Sequence, residues 1–458
     1  MDVRRAGLYV AIMAAVIVPL YVLDPGGWVL LTNDEARFPA MARDIVARGH
    51  WLAPAIAGTP MLNKPPLHAW LIALASLPGG EVTPRTAAIP SMIGGIGIVL
   101  GTAWLGWKLF GHAVGLTAGL GGATTVGLFA LAHVPLPDTT LTLALTAAVS
   151  AFVLFEFEQR RWALTAFYVA TGLAFLAKGP VGLIPLAVAL AWRLITHGWR
   201  GIPGLLSIPG LVALGLLTVP WLLLAFRTGG HGFVQTVLVQ DFQSTYFGSG
   251  ERLWQRLAHP FKLAIEHLLP WVILVPLAAW SAMREPDPER ARRTRLLIVW
   301  TVTAFVLLAI SERQRWRYYL PLVPPVALLV AAWFHRRPVR RAMAVAAVAC
   351  FCLIVIALAV GERYEARKRQ QLTAIHDVVR ELRTARAPAY AIDSPDIVFD
   401  YYADHPVVPL TEYGPFERAP GPAYLIASES MARAAPASLD RLAIEGRVNG
   451  KKFVLLRK

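Results

Sequence analysis

The chain has 458 residues, 56% of them hydrophobic and 16% charged, with a formal net charge of +15 at pH 7. An average soluble domain carries about 25% charged residues, so one soluble globule of this composition would expose too much apolar surface to water. The positive charge does not point to nucleic acid. It is concentrated in short clusters at the ends of apolar runs, at Arg4/Arg5, Arg160/Arg161, Arg290–Arg295 and Arg336–Arg341, as in the cytoplasmic loops of membrane proteins, where such clusters also favour anionic lipids. Only two cysteines occur, Cys350 and Cys352, both inside an apolar run, which rules out a disulfide framework.

A helix crosses a bilayer with roughly 20 apolar residues. In chain order the candidates are Ala6–Leu23, Thr86–Trp107, Ala113–Val134, Thr139–Phe157, Trp162–Ala177, Gly179–Ile195, Ile202–Phe226, Leu263–Met283, Leu296–Ile310, Tyr318–Phe334 and Ala342–Val360, about eleven spans by this length rule. The first follows Arg4/Arg5 without an obvious small-residue cleavage site and reads as a retained helix rather than a signal peptide. The two runs flanking Lys178 are short and read as a hairpin, because together they are too long for one crossing. Leu67–Pro78 is too short to span and reads as an interfacial or re-entrant helix.

Parity then fixes the sides. With Arg4/Arg5 in the cytoplasm, Lys108, Arg160/Arg161, Arg193–Arg200, Arg284–Arg295 and Arg336–Arg341 all fall inside, as the positive-inside rule asks. The long first loop (24–85), Pro135–Asp138, Lys178, Arg227–Lys262, Ser311–Arg317 and the tail fall outside. After Gly361 the composition changes. Glu362–Ala385 is charged and helix-prone, Tyr390–Asp393, Val407–Leu410 and Tyr424–Ala427 read as short strands, and Asn449-Gly450 lies between apolar flanks as in a hairpin. The expected architecture is an α-helical polytopic membrane domain (1–361) carrying the long first outer loop, followed by a small periplasmic α/β domain (362–458).

The unusual residues sit in the outer segments: Asn33-Asp34-Glu35-Ala36-Arg37, Asn63-Lys64-Pro65-Pro66, Pro135-Leu136-Pro137-Asp138, Lys178-Gly179-Pro180, then Asp241, His259 and Glu266, and finally Arg315-Trp316-Arg317-Tyr318-Tyr319-Leu320-Pro321. Ionisable groups at membrane depth are costly and mark function by default. Structural roles compete: Asp138 as the cap of the helix beginning at Thr139, Lys178 snorkelling to the interface, Asp34 and Arg37 as a surface pair, and the loop around Arg317 as a headgroup anchor. None of these explains why acids and bases concentrate on one side.

Asp34-Glu35-Ala36-Arg37, then Gly49-His50-Trp51 and Asn63-Lys64-Pro65-Pro66-Leu67, resemble the first periplasmic loop of the ArnT-like family. These are GT-C fold glycosyltransferases related to protein O-mannosyltransferases and typified by lipid A aminoarabinose transferase. Leu136-Pro137-Asp138 resembles the family's second acidic motif, Ala177-Lys178-Gly179-Pro180 its K-G-P turn, and Arg317-Tyr318-Tyr319-Leu320-Pro321 its Y-x-L-P motif. The motifs run in family order through the membrane part, while the tail matches only in position and type. Two departures stand out. Asn63 replaces a glutamate linked in relatives to a metal, which leaves metal binding open and no cofactor assigned. Gln240-Asp241-Phe242-Gln243-Ser244 lacks an arginine expected there.

The resemblance implies a multi-pass protein of a bacterial inner membrane that moves a sugar from a polyprenyl-phosphate carrier to a lipid A, glycolipid, glycan or protein acceptor on the periplasmic face, with inversion. Arg37, Lys64, Lys178 and Arg317 are suited to the lipid phosphate that departs. Asp34, then Asp138, are the candidates to orient or deprotonate the acceptor. Glu35, His259 and Tyr318 complete the expected substrate contacts. A lipid-linked sugar flippase or transporter is the competing class, whose marks would be internal repeats and paired broken helices. A surface-glycan polymerase or ligase is another.

Overall fold

The computed structural model describes residues 11, 13–22, 29–233, 253–311, 314–336, 368, 370–394, 396–403, 406–436, 438–448 and 451–458. The Ala342–Val360 run, Arg4/Arg5, Asp241, both cysteines and Asn449-Gly450 lie outside them. The chain divides into two compact units. One comprises Met1–Leu23, Leu62–His68 and Pro90–Val355; the other comprises Asp24–Met61, Ala69–Ile89 and Ile356–Lys458. A single cut after 361 therefore differs from this division, in which most of the first loop goes with the tail.

The first unit is a multi-pass helical bundle. Among the described residues, five helical stretches are long and apolar enough to cross a membrane: Pro84–Phe110, Pro137–Glu158, Arg161–Leu205, Ile208–Gly230 and Trp316–Phe334. Two bent pairs, His112–Ala123 with Val126–Ala132 and Ala258–Leu268 with Trp271–Met283, bring the number to seven if each is one span. The expectation of eleven counted the Arg161–Leu205 stretch as two runs, included the Ala342–Val360 run outside the described residues, and added two runs that these criteria leave out: the helix Pro288–Ala309, whose first half is rich in arginine, and the short apolar helix Met13–Val22.

The expected hairpin at Lys178 is a reversal within the Arg161–Leu205 stretch. The helix Arg161–Lys178 ends at Gly179, and the short 3-10 turn Gly179–Leu183 folds back so closely that a Cβ on Gly182 would lie 2.2 Å from the Phe175 nitrogen. The Ile184–His197 helix then runs back to the end of the Pro137–Glu158 helix, with the Trp192 ring tilted 6.2 Å from that of Phe157 and Arg193 3.4 Å from Glu156.

Sequence periodicity does not show the bends, but the packing accounts for them. The bend angles are 64° and 113°. The two breaks satisfy each other: the Val126 N–H donates to the Leu269 carbonyl at 3.1 Å, and Trp271 Nε1 donates to Thr124 Oγ1 at 3.0 Å. Broken helices at membrane depth need such partners, since lipid offers none. The Ile208–Phe233 helix exposes Ile208, Leu211, Val212, Leu216, Val219, Leu223 and Phe226, a face suited to lipid rather than water.

One end of the bundle collects the basic clusters. Glu156 is buried between Arg193 (3.4 Å) and Arg292 (2.7 Å), Lys108 meets Glu158 at 2.9 Å, and Glu285 pairs with Arg290 at 3.2 Å and with Arg336. Asp138 and Glu156 lie on the same helix, Pro137–Glu158. At 1.5 Å per residue their positions, 138 and 156, are about 27 Å apart along the axis. That nearly equals the hydrocarbon thickness of about 30 Å. The charged groups on this helix therefore mark its two ends.

In the second unit, first-loop and tail residues share one apolar core: Leu30, Met41, Ile45 and Ile72 with Ile375, Val378, Phe399 and Phe453. The tail carries a five-stranded sheet of order β4-β3-β5-β7-β6, where β3 is Ala389–Ile392, β4 Val407–Leu410, β5 Tyr424–Ser428, β6 Asp440–Val448 and β7 Lys451–Arg457. β3 runs parallel to β4 and β5, and β7 runs antiparallel to β5 and β6, with Val448 opposite Lys451. The remaining sheet of the unit is a two-stranded ribbon in the first loop, Ala55–Ile56 (β1) with Thr59–Pro60 (β2).

Candidate functional site

In the bundle, three separated motifs meet around one carboxylate. Asp138 lies in the first turn of its helix, which Leu136 caps without a side-chain hydrogen bond. Asp138 is therefore not spent as a cap. Its side chain is 3% exposed; Oδ1 accepts from Lys178 Nζ at 2.5 Å, and Oδ2 lies 3.9 Å from Arg317 Nε. Lys178 Nζ also sits 4.2 Å from the centre of the Tyr318 ring, and the Arg317 guanidinium 5.7 Å from it. Lys178 does not snorkel away to water: its side chain is 21% exposed and that of Arg317 16%.

Local backbone chemistry places these groups. Lys178 is the last residue of its helix, and Gly179 follows with φ 71° and ψ −142°, a left-handed conformation that side chains with a Cβ resist. A Cβ there would lie 3.8 Å from Pro65 Cγ, so the Asn63-Lys64-Pro65-Pro66 segment passes beside the Lys178 turn. The same segment is tied to the Asp138 helix by His68 Nδ1, 2.9 Å from Thr140 Oγ1. Lys64 is partly buried. In this network one carboxylate faces two cations.

Two buried histidines belong to this environment and were not singled out by sequence. His68 and His267 are both fully buried, and both feel the Asp138 charge. His267 packs 5.2 Å from Trp316 and against Gly127, where a Cβ would lie 2.2 Å from its ring. A histidine next to an apolar run reads as core, and only the pattern Lys64-Pro65-Pro66-Leu67-His68, placing one beside a motif, offered a signal. His259, by contrast, is exposed on its helix.

The remaining sequence candidates lie in the second unit. Asp34 and Arg37 form an i,i+3 ion pair of 2.9 Å on the helix Asn33–Arg48, both side chains about four-fifths buried. Glu35 is committed to the backbone: Thr32 and Glu35 make a capping box, and Glu35 Oε2 accepts from the N–H groups of Leu31 (2.8 Å) and Thr32 (3.1 Å). The cap engages Oε2 of the half-buried carboxylate. His50 of the Gly49-His50-Trp51 stretch lies 3.0 Å from Asp44, which also accepts from Ala55 N–H.

The residues do not fit a metal centre. Among the described residues no group of three or more His, Cys, Asp or Glu side chains is placed to hold an ion. Position 63 offers a neutral amide oxygen, and the Asp138 oxygens face cations.

Residues 63–223 match the family described as dolichyl-phosphate-mannose-protein mannosyltransferase. The chain is 28% identical over 353 residues to undecaprenyl phosphate-alpha-4-amino-4-deoxy-L-arabinose arabinosyl transferase 1 of Sodalis glossinidius, a match covering 72% of this chain and 59% of the relative. It is 28% identical over 331 residues to the corresponding transferase of Pectobacterium carotovorum, covering 69% of this chain and 57% of that protein. The crystal structure of ArnT from Cupriavidus metallidurans bound to undecaprenyl phosphate superposes with a TM-score of 0.79 at 19% identity, covering 100% of this chain and 98% of that one. The chain is thus similar in sequence to these arabinosyl transferases and shares the fold of ArnT. An Archaeoglobus fulgidus oligosaccharyltransferase shares the fold more distantly, with a TM-score of 0.62 at 14% identity over 92% of this chain and 68% of that one. The match to the curated relatives spans less than two thirds of their own length, while the ArnT-like fold extends over the whole chain.

Proposed function

We propose that this ArnT-like chain transfers a sugar from a polyprenyl-phosphate carrier to a lipid A-type or other glycolipid acceptor on the periplasmic face of a bacterial inner membrane. One observation carries the reading: a nearly dry network in which two cations, Lys178 and Arg317, face Asp138.

The bond between the anomeric carbon and the phosphate oxygen breaks, and a bond from that carbon to the acceptor oxygen forms. The departing lipid goes from a phosphodiester with one negative charge to a phosphomonoester with more. Lys178, Arg317 and Lys64 stabilise that added charge. They act strongly because they are already in place and poorly hydrated, so the protein reorganises little as charge develops. Asp138 holds the two cations apart from each other and prevents them from repelling. Tyr318 covers them with the face of its ring.

Asp34 orients the acceptor and, where that acceptor is a hydroxyl, takes its proton; Arg37 pairs with Asp34 and holds it in place. Attack from the side opposite the phosphate inverts the anomeric centre. The carrier phosphate itself serves as the leaving group.

Purified protein in vesicles, supplied with radiolabelled polyprenyl-phosphate sugar and lipid A, tests the reading. Label appearing on the acceptor supports it. Movement of intact donor across the bilayer without transfer would identify a flippase, and stepwise chain growth a polymerase, and either would overturn it.

A further inference from the structure

The residue before Asp34 does something no catalytic motif requires. Asn33 opens the Asn33–Arg48 helix, yet its side chain reaches a segment more than 360 positions away in the chain. Asn33 Nδ2 donates to Asp396 Oδ1 at 2.7 Å. Asn33 Oδ1 accepts from the N–H groups of Ile397 (3.1 Å) and Val398 (3.4 Å). One amide thus caps the helix Asp396–Ala403 from outside, because the first N–H groups of a helix have no partner within it.

The chain from Leu30 to Arg43 is joined to this tail helix twice more. The Leu30 N–H donates to Tyr402 Oη at 3.0 Å, and Arg43 donates to the Tyr401 carbonyl with its guanidinium 4.3 Å from the Tyr401 ring centre. Tyr401 Oη in turn donates to the Val82 carbonyl at 2.6 Å. Burial pushes the Tyr402 hydroxyl up to about 12, so it stays a neutral partner at ordinary pH. The Asp34 helix is therefore fastened to the tail at its start and again at Arg43, and the residue next to Asp34 makes three of the bonds.

We infer that Asn33 and Asp396 are positioning residues for Asp34, so that the tail helix Asp396–Ala403 sets the orientation of the acidic residue and serves the transfer reaction rather than acting as an appended domain. The inference rests on the role proposed for Asp34. Neither Asn33 nor Asp396 touches substrate. They act by fixing the first turn that carries Asp34 and Arg37, and small misplacements of a reacting group are costly in rate.

The hydrogen-bond polarity supplies a test. Asp396→Asn keeps an acceptor for Asn33 Nδ2. Asn33→Asp sets two carboxylates against each other and removes the donor. The double variant Asn33→Asp/Asp396→Asn restores all three bonds with donor and acceptor exchanged, since the new carboxylate still accepts from Ile397 and Val398 and now accepts a hydrogen bond from the new amide.

Turnover per folded molecule and donor KM would be measured on the full-length protein for these variants and for Asp34→Asn. The inference expects near-normal turnover in Asp396→Asn and a fall in kcat of about tenfold or more in Asn33→Asp, with donor KM little changed. It expects most of that loss to be recovered in the double variant. Full turnover in Asn33→Asp, or no recovery in the double variant, overturns it. Full turnover in Asp34→Asn instead overturns the role proposed for Asp34, and that separates the two failures.

Discussion

Lys178 Nζ lies 2.5 Å from Asp138 Oδ1, although the two residues are 40 positions apart and on different helices. An ammonium and a carboxylate this close and this poorly hydrated cannot be removed singly without consequence. Breaking a buried pair leaves an uncompensated charge, at a cost of about 3–5 kcal/mol in typical cases. Asp138 is more central than a lone catalytic acid, since Arg317 depends on it as well.

Asp138→Asn should therefore do two things at once. It should abolish transfer, because Lys178 and Arg317 lose the anion that orients them. It should also lower the thermal midpoint of the purified protein, since two cations are left facing an amide. A thermal melt in detergent alongside the transfer assay reads both; an unchanged midpoint would show that the pair is solvated and weak.

Lys178→Ala and Arg317→Ala each remove one cation and leave Asp138 paired with the other. Each should weaken catalysis by about 2–4 kcal/mol, comparable to losing one donor to a developing oxyanion. Lys178→Arg should recover little, because a planar fork does not replace a compact ammonium seated over Tyr318. Turnover normalised to folded protein distinguishes this from a stability effect, and unchanged turnover in both alanine variants would move the phosphate elsewhere.

Gly127 faces the His267 ring so closely that Gly127→Ala must push the ring or its helix. Overpacking of this kind costs about 1–3 kcal/mol, to be read as a lowered unfolding midpoint. In a His267→Ala background the same Gly127→Ala change should cost little. Equal losses in both backgrounds would show that another neighbour, not His267, requires the glycine.

The orientation proposed for the bundle places the Glu156–Arg292 end in the cytoplasm and the Asp138 end outside. Single cysteines at exposed positions, introduced after replacing Cys350 and Cys352, would be probed in intact cells with a membrane-impermeant reagent. Labelling at Lys451 and protection at Arg284 are expected. The reverse pattern would invert the topology.

What sequence reveals here follows from the kind of constraint each residue obeys. Asp138, Lys178 and Arg317 were legible because a charge at membrane depth is expensive and stands out against apolar neighbours. That Lys178 would reach Asp138 rather than the interface was not legible, since it depends on the turn at Gly179. The strands Val407–Leu410 and Tyr424–Ser428 followed from β-rich residues bounded by turn formers. The bends near Thr124 and Leu269 were hidden, because each break is satisfied by hydrogen bonds from the other. Glu35 shows a second kind of constraint. A carboxylate within a motif looks chemical, and it also spacing-matches Thr32 and is used by the backbone. Asn33 gave no signal, as its partner Asp396 lies far away in the chain.

The central claim is that Lys178 and Arg317, held by Asp138, receive the phosphate of the lipid carrier. Equilibrium binding of polyprenyl phosphate to the purified protein, compared among wild type, Lys178→Ala and Arg317→Ala at equal folded fraction, tests it most directly. The account predicts saturable binding to the wild type and affinity reduced by about tenfold or more in each variant, as expected for losing a charge-assisted contact of about 1.5–3 kcal/mol. Equal affinity in all three proteins would contradict it.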